Sequence, residues 1–266
     1  MKFIKTNDPD SISGLRAKLY QNLTAPIDAM WEQLYIASAQ PYLIENEGIT
    51  LGYCCVNDQN CLIQIFLQEE SISQTDQVIT SLVVSKLIIS ACLSSAEPVS
   101  FNACLNRSES IQANTFCFQH SNKPIELKNT LDVELVSAND IPAVKAFLKD
   151  QVGMDDTFGY TENLVSRKEI YMIYESDTII ATSECRVSDS QPEIADIGII
   201  VNKEYQNKGI GTHVMQMQVN RVLKANRKPI CSTTLNNLAA RKAIEKSGFY
   251  CSNILFDIQL KLSQDQ

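Results

Sequence analysis

The part of the chain with the clearest potential for chemistry is Glu193–Thr212, EIADIGIIVNKEYQNKGIGT. Its first half is a run of β-branched apolar residues, which is typical of a covered strand. Gly209 and Gly211 follow, and glycine permits the tight turn that lets a helix begin close to a strand. The first N–H groups of a helix lack partners within the helix and carry the positive end of its dipole. This order of strand, glycine loop and helix predicts an anion site for a phosphate or pyrophosphate.

The spacing of Gln206, Gly209 and Gly211 resembles the pyrophosphate loop of the GNAT acyltransferase superfamily, which binds acetyl-CoA. Asn237–Phe249 is similar to a later helix of that family, which starts with an asparagine and ends in a lysine, a glycine and a phenylalanine. The loop pattern alone is weak, but the two motifs occur in the family's order and about one helix and one strand apart. The resemblance covers Leu131–Leu262, and it implies an N-acetyltransferase with acetyl-CoA as co-substrate and a small-molecule or peptide amine as acceptor.

The resemblance also implies which residues hold acetyl-CoA. Main-chain groups at the end of the strand would bind the pantetheine arm, and the loop with the next helix start would surround the pyrophosphate. The residues implied are Ile199, Ile200, Val201, Gln206, Asn207, Lys208, Gly209, Ile210, Gly211, Thr212 and, from the later helix, Asn237. The local charge also favours an anionic ligand such as acetyl-CoA, because residues 202–246 carry nine lysines and arginines against two glutamates.

Asp196 is the general base that the resemblance implies, since many members carry a glutamate near the start of this strand. The strand from Asp196 to its end spans roughly 17 Å at ~3.3 Å per residue, which separates the base from the phosphates. Aspartate is one methylene shorter than glutamate, which favours proton transfer through water. Glu193 and Glu184 stay open as alternative bases, and a purely structural Asp196 is a further alternative. Ile244 stands where many members have a tyrosine as general acid, so that role is unassigned.

Composition sets the broad class of protein. The chain has 266 residues, 44% of them hydrophobic and 20% charged, which suits a globular protein of two ordinary domains. The start MKFIKTNDPD has no apolar leader and no run is long enough to span a membrane, so the expected location is cytoplasmic. Nine cysteines without a C-x-x-C pair and two histidines predict reduced thiols and no metal site. A net charge of −8 argues against nucleic-acid and anionic-membrane partners.

The predicted order of elements is similar in the two halves of the chain. In the first half we predict helices over Ser11–Leu23 and Pro26–Ala39, and a meander of strands over Tyr42–Glu45, Thr50–Val56 and Cys61–Leu67. Helical spacing of apolar residues follows over Val78–Val83 and again over Leu87–Ile89, and a strand is predicted over Pro98–Leu105. In the second half we predict a helix over Ile141–Lys149, strands over Ile170–Glu175, Thr178–Val187 and Ile194–Val201, a helix from Gly211 and a strand over Ile230–Thr234. Trp31, the only tryptophan, is expected in the core.

This repetition predicts two GNAT-like domains in tandem, each an α/β (α+β) fold with a mixed, mostly antiparallel sheet flanked by helices. Residues 1–125 would form a degenerate N-terminal domain and residues 130–266 the acetyltransferase domain, joined by a polar linker over Asn122–Thr130. The N-terminal domain has no cofactor loop, because Gln68–Ser73 contains no glycine and its two glutamates would repel a phosphate.

The preferred hypothesis is therefore an N-acyltransferase that works by direct attack of the amine on the thioester. Acidic residues at Asp155, Asp156 and Glu162 suggest a cationic acceptor, although an ordinary solvated loop explains them equally well. The alternatives are a non-catalytic acyl-CoA-binding regulatory protein and an interaction module without a cofactor. The sequence leaves the acceptor, the acyl chain and the oligomeric state open.

Overall fold

The computed structural model describes residues 1–8, 10–127, 131–156, 159–176 and 178–261. The chain divides into two compact units. The first contains Met1–Cys117 and the C-terminal segment from Ser252 onward, and the second contains Phe118–Cys251. Residues 128–130 of the predicted linker lie outside the described residues.

The strands of the described residues are β1 (Lys2–Lys5), β2 (Gln40–Asn46), β3 (Ile49–Val56), β4 (Cys61–Leu67), β5 (Ser90–Ser94), β6 (Ser108–His120), β7 (Val133–Leu135), β8 (Ile170–Glu175), β9 (Thr178–Val187), β10 (Ile194–Val201), β11 (Lys228–Thr234) and β12 (Phe249–Leu260). The α-helices are α1 (Asp10–Asn22), α2 (Thr75–Val84), α3 (Pro98–Leu105), α4 (Ile141–Val152), α5 (Tyr160–Ser166), α6 (Ile210–Lys224) and α7 (Leu238–Lys246). Short 3₁₀ segments and a π-helical turn over Trp31–Ile36 join them.

The first unit is built on a mixed sheet. Strands β1 to β4 pair antiparallel in chain order, which confirms the predicted meander. Strand β5 pairs in parallel with the first two residues of β4, and its other edge pairs antiparallel with the end of β12, where Leu255 lies opposite Ser94. Helices α2 and α3 cover one part of the core, and α1 with the π-helical turn covers another.

Three predictions for the first half were wrong. Leu87–Ile89 is not helical, because α2 ends at Val84 and these residues lead into β5. Pro98–Leu105 is helix α3 and not a strand, and Pro98 occupies its first turn, where the missing proline N–H has no cost. The predicted helix over Pro26–Ala39 contains only a short helical stretch around the π-helical Trp31–Ile36. Trp31 is half-buried, packs against the core of this unit and stacks on Tyr35, with ring centroids 4.5 Å apart.

The second unit also contains a mixed sheet, in which β7, β8, β9 and β10 are antiparallel and β11 is parallel to β10. Helices α4 and α5 contribute to one core, and the start of α6 contributes to a second. The predicted α/β architecture, a mostly antiparallel sheet with flanking helices, is confirmed in each unit. Over the described ranges, no helix is long and apolar enough to cross a bilayer.

Candidate active site

The parallel pairing of β10 with β11 stops part-way along β10. Its register joins only Ile194, Ala195 and Asp196 to Lys228, Pro229 and Ile230. The antiparallel pairing with β9, in contrast, continues to Val201. Residues 198–201 are half-buried. In the described sheet they pair with β9 on one edge of β10. Because backbone amides need partners, the edge of β10 beyond Asp196 suits an extended ligand with amide groups.

The loop after β10 turns through two residues with positive φ, Asn207 at 61° and Gly209 at 83°. Gly209 is the N-cap of α6, and the space where a side chain would start is open. Lys208, between them, places Nζ 4.4 Å from the ring centroid of Tyr205. The side-chain amide of Gln206 donates to the carbonyl of Val201 at 3.4 Å. The loop therefore connects the end of β10 to the start of α6, and the space beside that helix start is open.

The first turn of α6 lies against the end of β10. A Cβ on Gly211 would lie 3.4 Å from Val201 Cγ2, an ordinary van der Waals distance, which shows how close the helix start lies to the end of the strand. Asn237 is the N-cap of α7, and its Oδ1 accepts from the N–H of Ala240 at 3.1 Å. At the other end of α7, the Ser247 hydroxyl donates to the carbonyl of Thr212 at 3.4 Å. The structure thus groups the predicted residues from Ile199 to Thr212, whereas the side-chain oxygen of Asn237 already serves as a helix cap.

Asp196, the predicted base, is 0% exposed. It lies opposite Arg186 in the antiparallel pair of β9 and β10, and Arg186 Nη2 donates to Asp196 Oδ2 at 3.0 Å. Arg186 Nη1 donates to Glu184 Oε2 at 2.7 Å. Glu184 lies opposite Gly198, two residues further along β10, where pairing with β11 has ended. Both carboxylates are thus buried and share one guanidinium.

Tyr160, at the start of α5, completes this cluster. Its hydroxyl donates to Glu184 Oε2 at 2.7 Å and accepts from Arg186 Nη1 at 2.9 Å. Burial raises the pKa of the Tyr160 phenol, so the phenol keeps its proton near neutral pH. We call Tyr160, Glu184, Arg186 and Asp196 the buried charge cluster.

Acidic residues just before and within α5 are paired with lysines of α4. Asp156 accepts from the N–H groups of Tyr160 and Thr161 and pairs with Lys145 at 3.3 Å. Glu162 pairs with the same Lys145 at 2.6 Å, and Asp155 with Lys149 at 2.9 Å. A cationic acceptor would have to compete with these lysines. Residues 157–158 of this stretch lie outside the described residues.

The remaining candidates lie elsewhere. Glu193 is exposed and precedes β10, where its carbonyl accepts from the N–H of Lys228. Ile244 is buried in α7 and has no group that can donate a proton. Sequence reasoning missed Arg186, although one signal was present. Glu184 and Arg186 are two residues apart in a predicted strand, so their side chains point to the same face. Two opposite charges on a covered face indicate a buried ion pair.

Comparison with family models places two matches on the chain. A model described as "Acetyltransferase (GNAT) domain" matches residues 8–121. A model described as "Acetyltransferase (GNAT) family" matches residues 140–249, the part that contains the loop, α6 and the buried charge cluster. A search of curated proteins found no match.

Solved structures give the same fold. An acetyltransferase of the GNAT family from Colwellia psychrerythraea is 26% identical with a TM-score of 0.93, and the match covers 98% of this chain and 100% of that one. A GCN5-related N-acetyltransferase from Sphaerobacter thermophilus is 12% identical with a TM-score of 0.69, over 99% and 97%. A tandem GNAT protein from the clavulanic acid biosynthesis pathway is 10% identical with a TM-score of 0.60, over 100% and 99%. The last two support the fold alone.

Proposed function

We propose that this chain, which belongs to the GNAT acetyltransferase superfamily and contains two GNAT domains, moves an acetyl group from acetyl-CoA to an amine. One observation supports the proposal most directly. Beyond Asp196, the pairing of β10 with β11 ends. Helix α6 begins after this strand, and its N-cap Gly209 has the left-handed conformation. A ligand with an extended amide arm and phosphates matches a strand edge that leads to a helix N-terminus.

The residues around the start of α6 are the ones that we propose hold acetyl-CoA. We propose that main-chain groups of Ile199–Val201 bind the pantetheine arm and that Gln206–Thr212 surround the pyrophosphate, with Lys208 adding a positive charge. Acetyl-CoA supplies an activated thioester carbonyl when bound. Asn237 contributes by fixing the start of α7, since its side chain caps that helix.

The proposed chemistry needs a proton to leave the attacking ammonium. We propose that it leaves toward the buried charge cluster, with Asp196 as the base that the sequence favours and Glu184 as its competitor. Glu184 faces Gly198, where β10 has parted from β11, whereas Asp196 lies at the last paired position. Arg186 keeps a positive charge beside both carboxylates, and Tyr160 orients Glu184. A proton bound for Asp196 would pass through a water molecule or through Glu184, because the fully buried Asp196 side chain cannot touch the amine directly.

The N-terminal GNAT domain has a different proposed role. Its strand β4 is followed by a 3₁₀ segment over Glu69–Gln74, which starts with two exposed glutamates and has no glycine. We propose that residues 1–125 form a domain without a cofactor loop and that residues 130–266 form the catalytic domain. We also propose a cytoplasmic location, which nine cysteines without a disulfide bond support.

A non-catalytic acyl-CoA-binding protein is the second candidate. Two observations favour it: Asp196 is fully buried and paired with Arg186, and Ile244 is a core residue where many members have an acid. Such a protein would bind acetyl-CoA and leave every amine unchanged.

Incubation with isotope-labelled acetyl-CoA and a panel of amines tests the proposal. The product should be read by mass spectrometry, because the protein's own thiols, including the exposed Cys251, react with thiol reagents. Labelled acetyl-amine that the native chain forms and the Gly209→Asp variant does not would support acyl transfer. Tight binding of acetyl-CoA without any labelled product across primary amines, polyamines and lysine peptides would support the second candidate instead.

A further inference from the structure

Lys208, in the loop before α6, rests on an aromatic ring. Its Nζ lies 4.4 Å from the centroid of the Tyr205 ring. An ammonium group within about 6 Å of a ring centroid is attracted by the electron-rich face of that ring. Lys208 is exposed, and it takes part in none of the ion pairs among the described residues. In the described part of the chain, the Tyr205 ring rather than a carboxylate therefore holds this ammonium group.

Tyr205 itself is held in place by the core of the second unit. It ends the short 3₁₀ segment Lys203–Tyr205, and its N–H donates to the carbonyl of Asn202 at 2.8 Å. Its half-buried side chain packs against a buried cluster formed by Ile173, Ile180, Ala181 and Val214. Ile210, the first residue of α6, packs against the same cluster. The ring is thus a fixed surface beside the start of α6.

The Tyr205 ring is neutral although two carboxylates are near it. Partial burial raises the pKa of the Tyr205 phenol, and the nearby carboxylates of Glu175 and Glu204 raise it further, so the phenol keeps its proton near neutral pH. Both carboxylates are exposed, and water screens the attraction of exposed carboxylates for a lysine. The neutral ring face thus remains the surface on which the ammonium group of Lys208 rests.

A lysine side chain loses much conformational freedom when its ammonium group binds a phosphate. A ring that already restricts the ammonium group lowers that cost, because the group is ordered before the ligand arrives. We propose that Tyr205 is a positioning residue, which holds Lys208 where its ammonium group meets the pyrophosphate of acetyl-CoA beside the N-cap Gly209. The ring covers one side of the ammonium group, so other N–H groups stay available to phosphate oxygens. This inference rests on the proposed acetyl-CoA site, and it adds a residue that the loop motif does not include.

Two variants of Tyr205 separate the aromatic face from the packing. Tyr205→Leu keeps an apolar side chain on the core and removes the face, whereas Tyr205→Phe keeps the face. In isothermal titration calorimetry of the full chain, Tyr205→Leu should bind acetyl-CoA about two- to fivefold more weakly, as expected for an exposed cation–π contact. Tyr205→Phe should bind like the native chain. Equal or tighter binding by Tyr205→Leu would overturn the proposal, and tighter binding would mean that the ring draws Lys208 away from the phosphates.

A double-mutant cycle tests whether Tyr205 acts through Lys208. Lys208→Met should weaken acetyl-CoA binding, because it removes a positive charge from the loop. If the two residues act together, Tyr205→Leu added to Lys208→Met should weaken binding no further. A second loss of the same size in the double variant would mean that Tyr205 only supports the shape of the loop, and this result would overturn the proposal.

Matched controls exclude other effects of charge. Glu175→Gln and Glu204→Gln remove the carboxylates near Tyr205 and should not weaken acetyl-CoA binding. Arg221→Met removes a guanidinium that lies 4.1 Å from the Tyr171 ring in the last turn of α6, and it should bind within about twofold of the native chain. A loss in Glu175→Gln or Glu204→Gln as large as that in Tyr205→Leu would contradict the proposal, because a carboxylate would then be what holds Lys208.

The calorimetry also separates this inference from the proposed function. If the native chain does not bind acetyl-CoA, the proposed function and this inference fail together. If the native chain binds acetyl-CoA and the losses from Tyr205→Leu and Lys208→Met add, this inference alone fails.

Discussion

Arg186 and Asp196 lie directly opposite each other on β9 and β10, and the guanidinium Nη2 donates to the carboxylate Oδ2 at 3.0 Å. The same guanidinium donates through Nη1 to Glu184 and to Tyr160. All four side chains are buried. One positive charge thus serves two buried carboxylates, and its removal would leave two like charges in a medium of low dielectric constant.

Arg186→Met should therefore lower the free energy of unfolding by about 3–5 kcal/mol, the usual cost of leaving a buried charge uncompensated. Urea denaturation followed by circular dichroism measures this change. Arg241→Met is the matched control, because its pair with Glu245 is an exposed i,i+4 contact in α7 and is worth about 0.3–0.5 kcal/mol. A loss below about 1 kcal/mol for Arg186→Met would show that the cluster is not held together by this charge.

The two candidate bases can be separated by kinetics. Loss of a general base lowers kcat by roughly 10²–10⁴-fold, while KM for acetyl-CoA should change little because the loop is untouched. We expect that loss for Asp196→Asn and a smaller loss for Glu184→Gln, measured with the best amine from the panel. Glu134→Gln, an exposed carboxylate on β7, should leave both constants unchanged. The reverse order, with Glu184→Gln the more damaging change, would assign the base role to Glu184.

His120 should make the second unit sensitive to acid. The imidazole is 3% exposed, its Nδ1 accepts from the N–H of Asn122 at 3.0 Å, and burial lowers its pKa. The unfolded chain takes up a proton near pH 6.5, but the folded state does so only at lower pH. The free energy of unfolding should therefore fall as the pH is lowered from 7 to 5.

His120→Asn should remove this part of the pH dependence, which denaturation midpoints at pH 7 and pH 5 would measure. The other histidine, His213, is half-buried near the start of α6, and His213→Asn is the matched control. If His213→Asn flattened the dependence and His120→Asn did not, the assignment to His120 would be wrong.

The elements of the candidate site could be predicted from sequence because their signals are local. A β-branched run, two glycines and a helical pattern follow one another, and the observed β10, loop and α6 lie where these signals predict them. The helix at Pro98–Leu105 was missed because a short apolar run fits a strand or a helix equally well. In that case the proline at its start was the better guide.

Long-range partners could not be predicted. The Arg186 side chain meets Tyr160 and Asp196, which lie on other elements of the second unit, and no local pattern indicates such a meeting. The pairing of β12 with β5, where Leu255 lies opposite Ser94, is likewise absent from any local pattern. Trp31 packs against the core of the first unit and yet stays half-buried, and its type alone does not predict how much of its surface remains accessible.

The central claim is that α6 begins at an acetyl-CoA site. Isothermal titration calorimetry should compare the native chain with Gly209→Asp, which places a carboxylate at the left-handed N-cap, φ 83°. Gly48→Asp is the matched control, since Gly48 has φ 81° and similarly open surroundings in the turn between β2 and β3. We predict that the native chain and Gly48→Asp bind acetyl-CoA alike, and that Gly209→Asp binds about 100-fold more weakly through charge repulsion. No binding by the native chain, or equal binding by Gly209→Asp, would contradict the claim.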